Sequence, residues 1–248
     1  MVDLKGRTAI ITGASTGIGA ALAVAFSREG ANLTLAARRL DRLKEVAQKC
    51  PGGVFPLAAD LTRDSDRREI VQQTLERWGR IDVLVNNAGL GAYGDFLSAG
   101  EEHWRQIFEV NLFALVFMTR SVLPHMLSRG SGIVVNMASI GGLIAHSDKV
   151  TPYVASKHAV VGFSRGLAKD LTGSGIRVIA VCPHLTDTEF FTTSPGAREM
   201  APVVEKFKSF MDRPEDVARG ILEQLDSDRL IVFPTVKPAR AYEKQRDI

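Results

Sequence analysis

A doubly wound α/β fold built on one parallel sheet, with residues 1–248 as a single domain, is what this sequence predicts. Two patterns lead there. Short β-branched runs, apolar at nearly every position, alternate with longer amphipathic segments, and strands without a polar face are buried on both sides. The first such run passes into the first helix through a glycine-rich turn. Helices between consecutive strands make parallel pairing with right-handed crossovers the economical topology.

Taken in order, 8–12 (Thr-Ala-Ile-Ile-Thr) reads as the first strand and 18–29 as the first helix. Gly30 follows, in the position past a C-cap that favours glycine. A strand at 33–36 and a helix at 40–48 come next, then strands at 54–57, 83–85, 133–136 and 178–181. Helices are predicted over 66–78, 104–127, 154–171 and 214–225, and a last strand over 230–233. The stretch 186–213 has no strand signal and interrupts the alternation. The tail after Phe233, with Pro234 and Pro238 among mixed charges, reads as surface-bound.

Composition narrows the classes of function. With 31 basic and 28 acidic residues the formal charge is +3, and 45% hydrophobic with 24% charged residues describes an ordinary globular chain. A chain of this length buries roughly 70% of its extended surface, so its core needs no disulfide or metal staple. No Lys/Arg cluster stands clear of neighbouring acids, so no nucleic-acid partner is expected. The start, Met1 to Arg7, is too charged for a signal peptide. The longest unbroken apolar run, 112–118, falls short of the ~20 residues of a membrane helix. Cys50 and Cys182 lack metal-ligand spacing; reduced thiols in a cytoplasmic protein are expected rather than one disulfide.

Three clusters carry chemistry. The first is the turn Gly13-Ala14-Ser15-Thr16-Gly17-Ile18-Gly19, between a strand and a helix. Gly13 supplies a tight turn, Gly17 lets backbone approach a pyrophosphate, and Gly19 permits close helix–sheet packing. The helix N-terminus adds free N–H groups and a positive dipole for phosphate. The second is Asn86-Asn87-Ala88-Gly89, closing an apolar strand at the sheet edge where ligands of open α/β sheets bind. Its asparagines either brace the loops or hydrogen-bond a ribose. The third is Ser139 with Tyr153 and Lys157, the last two four apart and so on one helix face. A phenol near pKa ~10 is a poor base at neutral pH. A neighbouring ammonium lowers that value and makes proton exchange with an alcohol feasible, while Ser139 holds the substrate oxygen.

In this order and spacing the clusters resemble the short-chain dehydrogenase/reductase family, in its branch of about 250 residues, over residues 5 to 233. The resemblance implies a Rossmann-type oxidoreductase transferring a hydride between a nicotinamide dinucleotide and a small carbonyl or alcohol. It makes Asn111 a fourth catalytic residue, holding a water that relays protons through the lysine. It sets Asp60 and Leu61 beside the adenine, and Pro183, Leu185 and Thr188 beside the nicotinamide carboxamide. A homodimer or homotetramer through 104–127 and 154–171 is also implied, with no membrane span. The family usually has Pro-Gly after the strand ending at Cys182; here His184 follows Pro183, and either narrows the nicotinamide side of the pocket or points away. A non-catalytic binding protein of the same fold would lack one of the four catalytic side chains, and all are present. A nucleotide-sugar epimerase or dehydratase would need a second lobe for which there is no room.

Two expectations concern selectivity. An NAD(H) site places an acid about 20 residues past the glycine turn to bind the adenosine ribose. Here Arg38 and Arg39 stand there, and paired guanidiniums suit a 2′-phosphate. NADP(H) is therefore expected over NAD(H), the alternative being a solvated basic loop paired with Asp41. The stretch 186–213 is unusually apolar, through Phe190, Phe191, Met200, Val203, Val204, Phe207, Phe210 and Met211. It is either an amphipathic helix packed on the body or a mobile lid over an apolar substrate, with Leu90, Tyr93, Leu143 and Ile144 as the opposite wall.

Overall fold

The protein is described here by a computed structural model covering residues 3–145 and 147–245. Met1, Val2, His146 and the last three residues of the tail lie outside the described residues. Seven strands form one sheet in the order β3-β2-β1-β4-β5-β6-β7: β1 (Thr8–Thr12), β2 (Asn32–Ala37), β3 (Val54–Ala58), β4 (Val83–Asn86), β5 (Gly132–Met137), β6 (Ile176–Val181) and β7 (Ile231–Val232). Every pairing is parallel. Alternate residues of each strand feed opposite layers, which is why the strands carry no polar face. Ile11, Leu33, Leu35, Val85 and Val135 pack toward α1 (Gly17–Arg28) and α9 (Pro214–Glu223). Ile10, Leu84, Val134 and Val178 pack toward α3 (Asp64–Trp78) and α5 (Ala114–Leu127).

The remaining helices are α2 (Leu40–Ala47), α4 (Glu101–Phe108), α6 (Thr151–Asp170), α7 (Phe190–Thr193), α8 (Ala197–Phe207) and α10 (Val236–Gln245). Two stretches differ from the sequence reading. The helix expected over 104–127 starts earlier, at Glu101, and contains a π-helical turn over Glu109–Phe113. The run Glu101–Leu127 is long and apolar enough to span a bilayer by length and composition, although no seven-residue run signalled it. Its Leu115, Met118, Val122 and Met126 are buried against the body, however, which makes it a core helix of this fold. The tail after Phe233 is helical rather than simply surface-bound. Pro238 sits in its first turn, where a missing N–H removes no hydrogen bond, and Tyr242 packs on Phe233.

The strand order reverses at β1. The chain runs outward through β2 and β3, then returns to add β4 on the other side of β1. At such a switch point the connections at the carboxyl ends diverge and leave a crevice. Beneath it runs a buried polar chain. Asn86 Nδ2 donates to Thr119 Oγ1 and to Asn136 Oδ1, both at 2.9 Å, and Asn136 Nδ2 donates to Ser164 Oγ at 3.0 Å.

Candidate active site

A cleft of about 1600 Å³ opens along the carboxyl ends of β1 to β6. At one end lie the turn residues Gly13, Ser15, Thr16, Gly17 and Ile18, with Arg38, Arg39, Asp60 and Leu61; at the other lie Ser139, Tyr153 and Lys157. Asn87, Ala88, Gly89, Pro183, Leu185 and Thr188 line the length between them. Gly19 lies buried beneath the turn, where an added Cβ would meet Gly13 O and Asn87 Nδ2 at 2.5 Å.

The turn's shape follows from its glycines. Gly13 and Gly17 adopt φ +63° and +58°, left-handed values that other residues adopt at a cost. A Cβ on Gly13 would stand 2.8 Å from Ala88 Cα, so the β1 and β4 loops close on each other only through glycine. Asn87 braces this junction by donating to Thr12 O at 2.9 Å and Gly13 O at 3.1 Å. Thr12 Oγ1 accepts from the Asn87 and Ala88 N–H groups and donates to Val85 O. Asn87 thus braces the loops while still lining the cleft. The first turn of α1 carries no acidic residue, and Thr16 at its N-cap makes no side-chain capping bond. The helix therefore presents uncapped N–H groups and a positive dipole to the cleft, the donor set an anion needs.

At the far end of the cleft, Ser139 follows β5 and caps a short 3₁₀ turn, its Oγ accepting from Gly141 N at 3.1 Å. Tyr153, in the first turn of α6, lies near enough for that hydroxyl to act on its phenol. Lys157 lies one turn on, buried, with Nζ donating to Met137 O at 2.7 Å. Burial holds the Tyr153 phenol up at about 12, against the lowering effect of Ser139, and burial brings the Lys157 ammonium down to about 8. The expected lowering of the phenol by the lysine is absent. Nζ is drawn to the Met137 carbonyl and stands 5.8 Å from the ring centroid, so burial decides the phenol's value. The thiol of Cys182, buried nearby, is pushed up to about 12 by burial and is inert as a nucleophile. Both cysteines are free, as expected.

Asn111 sits in the π-helical turn and lies outside the cleft surface. Its Oδ1 accepts from Leu90 N at 2.7 Å, and its Nδ2 donates to Leu90 O at 2.9 Å and Ser156 Oγ at 3.0 Å. The amide thus ties the 89–91 turn to the π-helical turn and to α6. A Cβ on Gly89 would stand 3.2 Å from Asn111 Oδ1, a tight contact, and 3.6 Å from Lys157 Nζ, an ordinary one, so the glycine eases the approach of the three groups. Asp60 accepts from Thr62 N–H and hydroxyl. His184 lines the cleft, half-buried.

Two parts of the sequence reading are corrected at the basic end and in the inserted segment. Arg39 pairs with Glu189 at 3.3 Å, not with Asp41, because the segment after β6 folds back across the cleft. Phe190, Phe191, Met200, Val203 and Phe207 line the cleft. Val204 does not; Phe210 faces solvent, and Met211 is buried beside the Thr186–Asp212 bridge. On the opposite wall Leu90 and Tyr93 take their expected places. Leu143 and Ile144 do not, because the 3₁₀ turn after Ser139 directs Ile140 to the cleft and folds Leu143 into a separate apolar cluster. Sequence reasoning placed Thr12 at the first turn without a role and missed Ser194. Ser194 Oγ accepts from Gly91 N at 2.8 Å and donates to Phe190 O, tying the inserted segment to the β4 loop. No spacing rule marks either residue, since each acts on a chain segment remote in sequence.

Strand order, uncapped helix N-terminus and glycine-closed turn together define an α/β protein of the Rossmann type, with its ligand cleft at the switch point. The chain belongs to the short-chain dehydrogenase/reductase family: the family model described as short chain dehydrogenase matches residues 7–198. A 3-oxoacyl-[acyl-carrier-protein] reductase, FabG, of Thermotoga maritima is 36% identical over 223 residues, covering 88% of this chain and 90% of its own. Among solved structures, a short-chain dehydrogenase/reductase from Burkholderia phymatum in complex with NAD superposes with a TM-score of 0.88 at 26% identity, covering 98% of this chain and 93% of that one. A 3-ketoacyl-(acyl-carrier-protein) reductase from Brucella melitensis complexed with NADH gives 0.82 at 28% identity, covering 93% and 97%. The chain is an oxidoreductase of this family.

Proposed function

We propose that this oxidoreductase transfers a hydride between NADP(H) and an apolar carbonyl or alcohol substrate, with Tyr153 as general acid and base. The observation that carries the reading is the meeting of Tyr153, Ser139 and Lys157 at one end of a cleft whose other end presents two arginines. The dinucleotide fits the residues present: the α1 N-terminus is uncapped and free of acids, and the glycines at 13, 17 and 19 leave no Cβ in the cradle. Gly13, Ser15, Thr16, Gly17 and Ile18 would hold its pyrophosphate, Arg38 and Arg39 its 2′-phosphate, and Asp60 with Leu61 its adenine. Asn87, Ala88, Gly89 and Lys157 would meet the nicotinamide ribose, and Pro183, Leu185 and Thr188 the carboxamide. When bound, the nicotinamide supplies or accepts the hydride.

In the reducing direction Tyr153 gives its hydroxyl proton to the carbonyl oxygen, while Ser139 donates to the same oxygen. The phenol enters this step carrying its proton, which burial holds on it. Lys157 spends one of its three N–H bonds on Met137 and keeps two for ribose hydroxyls. Asn111 positions the 89–91 turn that faces them. The segment 186–213 serves as a lid, with Phe190 on the Tyr153 ring at 5.8 Å, excluding water from the transfer. NADP(H) is favoured because no acid ends β2 and two guanidiniums stand there instead.

The test is the absorbance of the reduced nicotinamide, followed with ketones, aldehydes and alcohols and with both cofactors. Wild type should prefer NADP(H) by about tenfold or more in kcat/KM, the equivalent of one charge-assisted hydrogen bond. Tyr153→Phe should lower turnover by ~10²–10⁴ with dinucleotide affinity unchanged. A variant that retains a tenth of wild-type turnover in a chemistry-limited assay removes Tyr153 from the role.

A further inference from the structure

Three consecutive residues of the segment after β6 reach three parts of the cleft. Thr188 Cγ2 stands 2.9 Å from the position of a Cβ on Gly17. Glu189 Oε2 accepts from both terminal nitrogens of Arg39, each at 3.3 Å. The Phe190 ring meets the Tyr153 ring edge-on. The two arginines of the basic end are therefore not equivalent: Arg38 makes no ion pair among the described residues, whereas the donor fork of Arg39 is engaged.

The Glu189 side chain is not needed for its own helical turn. Its backbone carbonyl accepts from the N–H and hydroxyl groups of Thr192 and Thr193, and its carboxylate reaches across to Arg39. The Glu189 oxygen seated on the guanidinium occupies the same two donors that a phosphate oxygen would take. The two anions compete for one set of donors.

We infer that Glu189 is a specificity-determining residue for the dinucleotide, acting from the substrate segment: it holds the fork of Arg39 and must yield it to a 2′-phosphate. The inference rests on the assignment of Arg38 and Arg39 to that phosphate. A dinucleotide with the phosphate releases the Glu189 latch as it binds, while one without it leaves the latch closed over the cleft. Nucleotide choice at one end is thereby coupled to the segment that covers Tyr153 at the other. Both side chains are 44% exposed, so the pair is weak and the effect modest, about two- to fivefold in affinity.

Equilibrium titrations of the full chain with NADPH and with NADH, read by nicotinamide fluorescence, test this in wild type, Glu189→Gln, Arg39→Ala and the double variant. Glu189→Gln should tighten NADPH about two- to fivefold and leave NADH within about 1.5-fold. In the Arg39→Ala background the same substitution should have no effect. Equal shifts for both nucleotides, or no shift, overturn the inference. So does a shift that persists without Arg39, since it would mean simple repulsion between Glu189 and the phosphate rather than competition for the fork. If Arg39→Ala leaves NADPH binding unchanged, the arginine assignment itself has failed. If Arg39→Ala weakens NADPH but Glu189→Gln is silent, the failure is confined to Glu189.

Discussion

Lys157 carries a charge that burial makes costly. Burial lowers its ammonium from 10.5 to about 8, so below pH 8 the folded chain carries a charge that the unfolded chain would hold more comfortably. The penalty is on the order of 3 kcal/mol below about pH 8, and it disappears as pH rises from about 8 to about 10.5, because only the unfolded state still binds the proton there. Lys157→Met should therefore lose activity, and the difference in unfolding free energy should move toward wild type across that pH interval. Urea denaturation of both proteins at a series of pH values measures this; a flat difference would contradict the burial account. The Tyr-Ser-Lys set was legible in the sequence because four-residue spacing places Tyr153 and Lys157 on one helix face. The raised phenol was not, since the depth of a site belongs to the segments that cover it.

At the scale of elements, α8 and the π-helical turn departed furthest from expectation. The stretch 186–213 carries the helix α8, none of whose residues is fully buried, and its Met200, Val203 and Phe207 face the cleft. An apolar wall of this kind rewards apolar substrate length. Carbonyl substrates matched in everything but alkyl chain should show kcat/KM rising with each methylene, by up to about fourfold per group. Phe207→Ala should flatten the rise at the long end. Rates from a substrate series decide it, and equal rates or a preference for small charged substrates would sink the apolar pocket. The long helix was legible from its apolar periodicity, but the π-helical turn that seats Asn111 left no pattern that spacing rules detect.

Across the whole molecule, Asp82 ties the end of the sheet opposite the cleft. Its carboxylate is buried and accepts from Thr8 N at 2.9 Å, from Arg80 at 2.7 and 2.6 Å, and from Arg129 at 2.9 Å. Burial acts to raise its pKa, but the Arg80 and Thr8 bonds, with Arg129, hold it below the usual carboxylate range. Its contribution is present above the ordinary carboxylate pKa, near 3.9, and lost as pH falls through the lowered folded value. Asp82→Ala should cost about 2–4 kcal/mol at neutral pH, less than a fully buried pair because the arginines are part-exposed. The gap from wild type should shrink below pH ~4; denaturant unfolding at neutral and acid pH checks both. By itself the sequence determined the parallel sheet, the glycine turn, the family and the meeting of Ser139, Tyr153 and Lys157 in one cleft, because each is written in local spacing: apolar runs, a turn that only glycine can make, two side chains one helical turn apart. Only the tertiary structure decided that Arg39 meets Glu189, that Asn87 and Thr12 brace the β1–β4 junction, and that Phe190 covers Tyr153. Those contacts join residues 37 to 150 positions apart, and their partners are chosen by where the packed sheet delivers each loop.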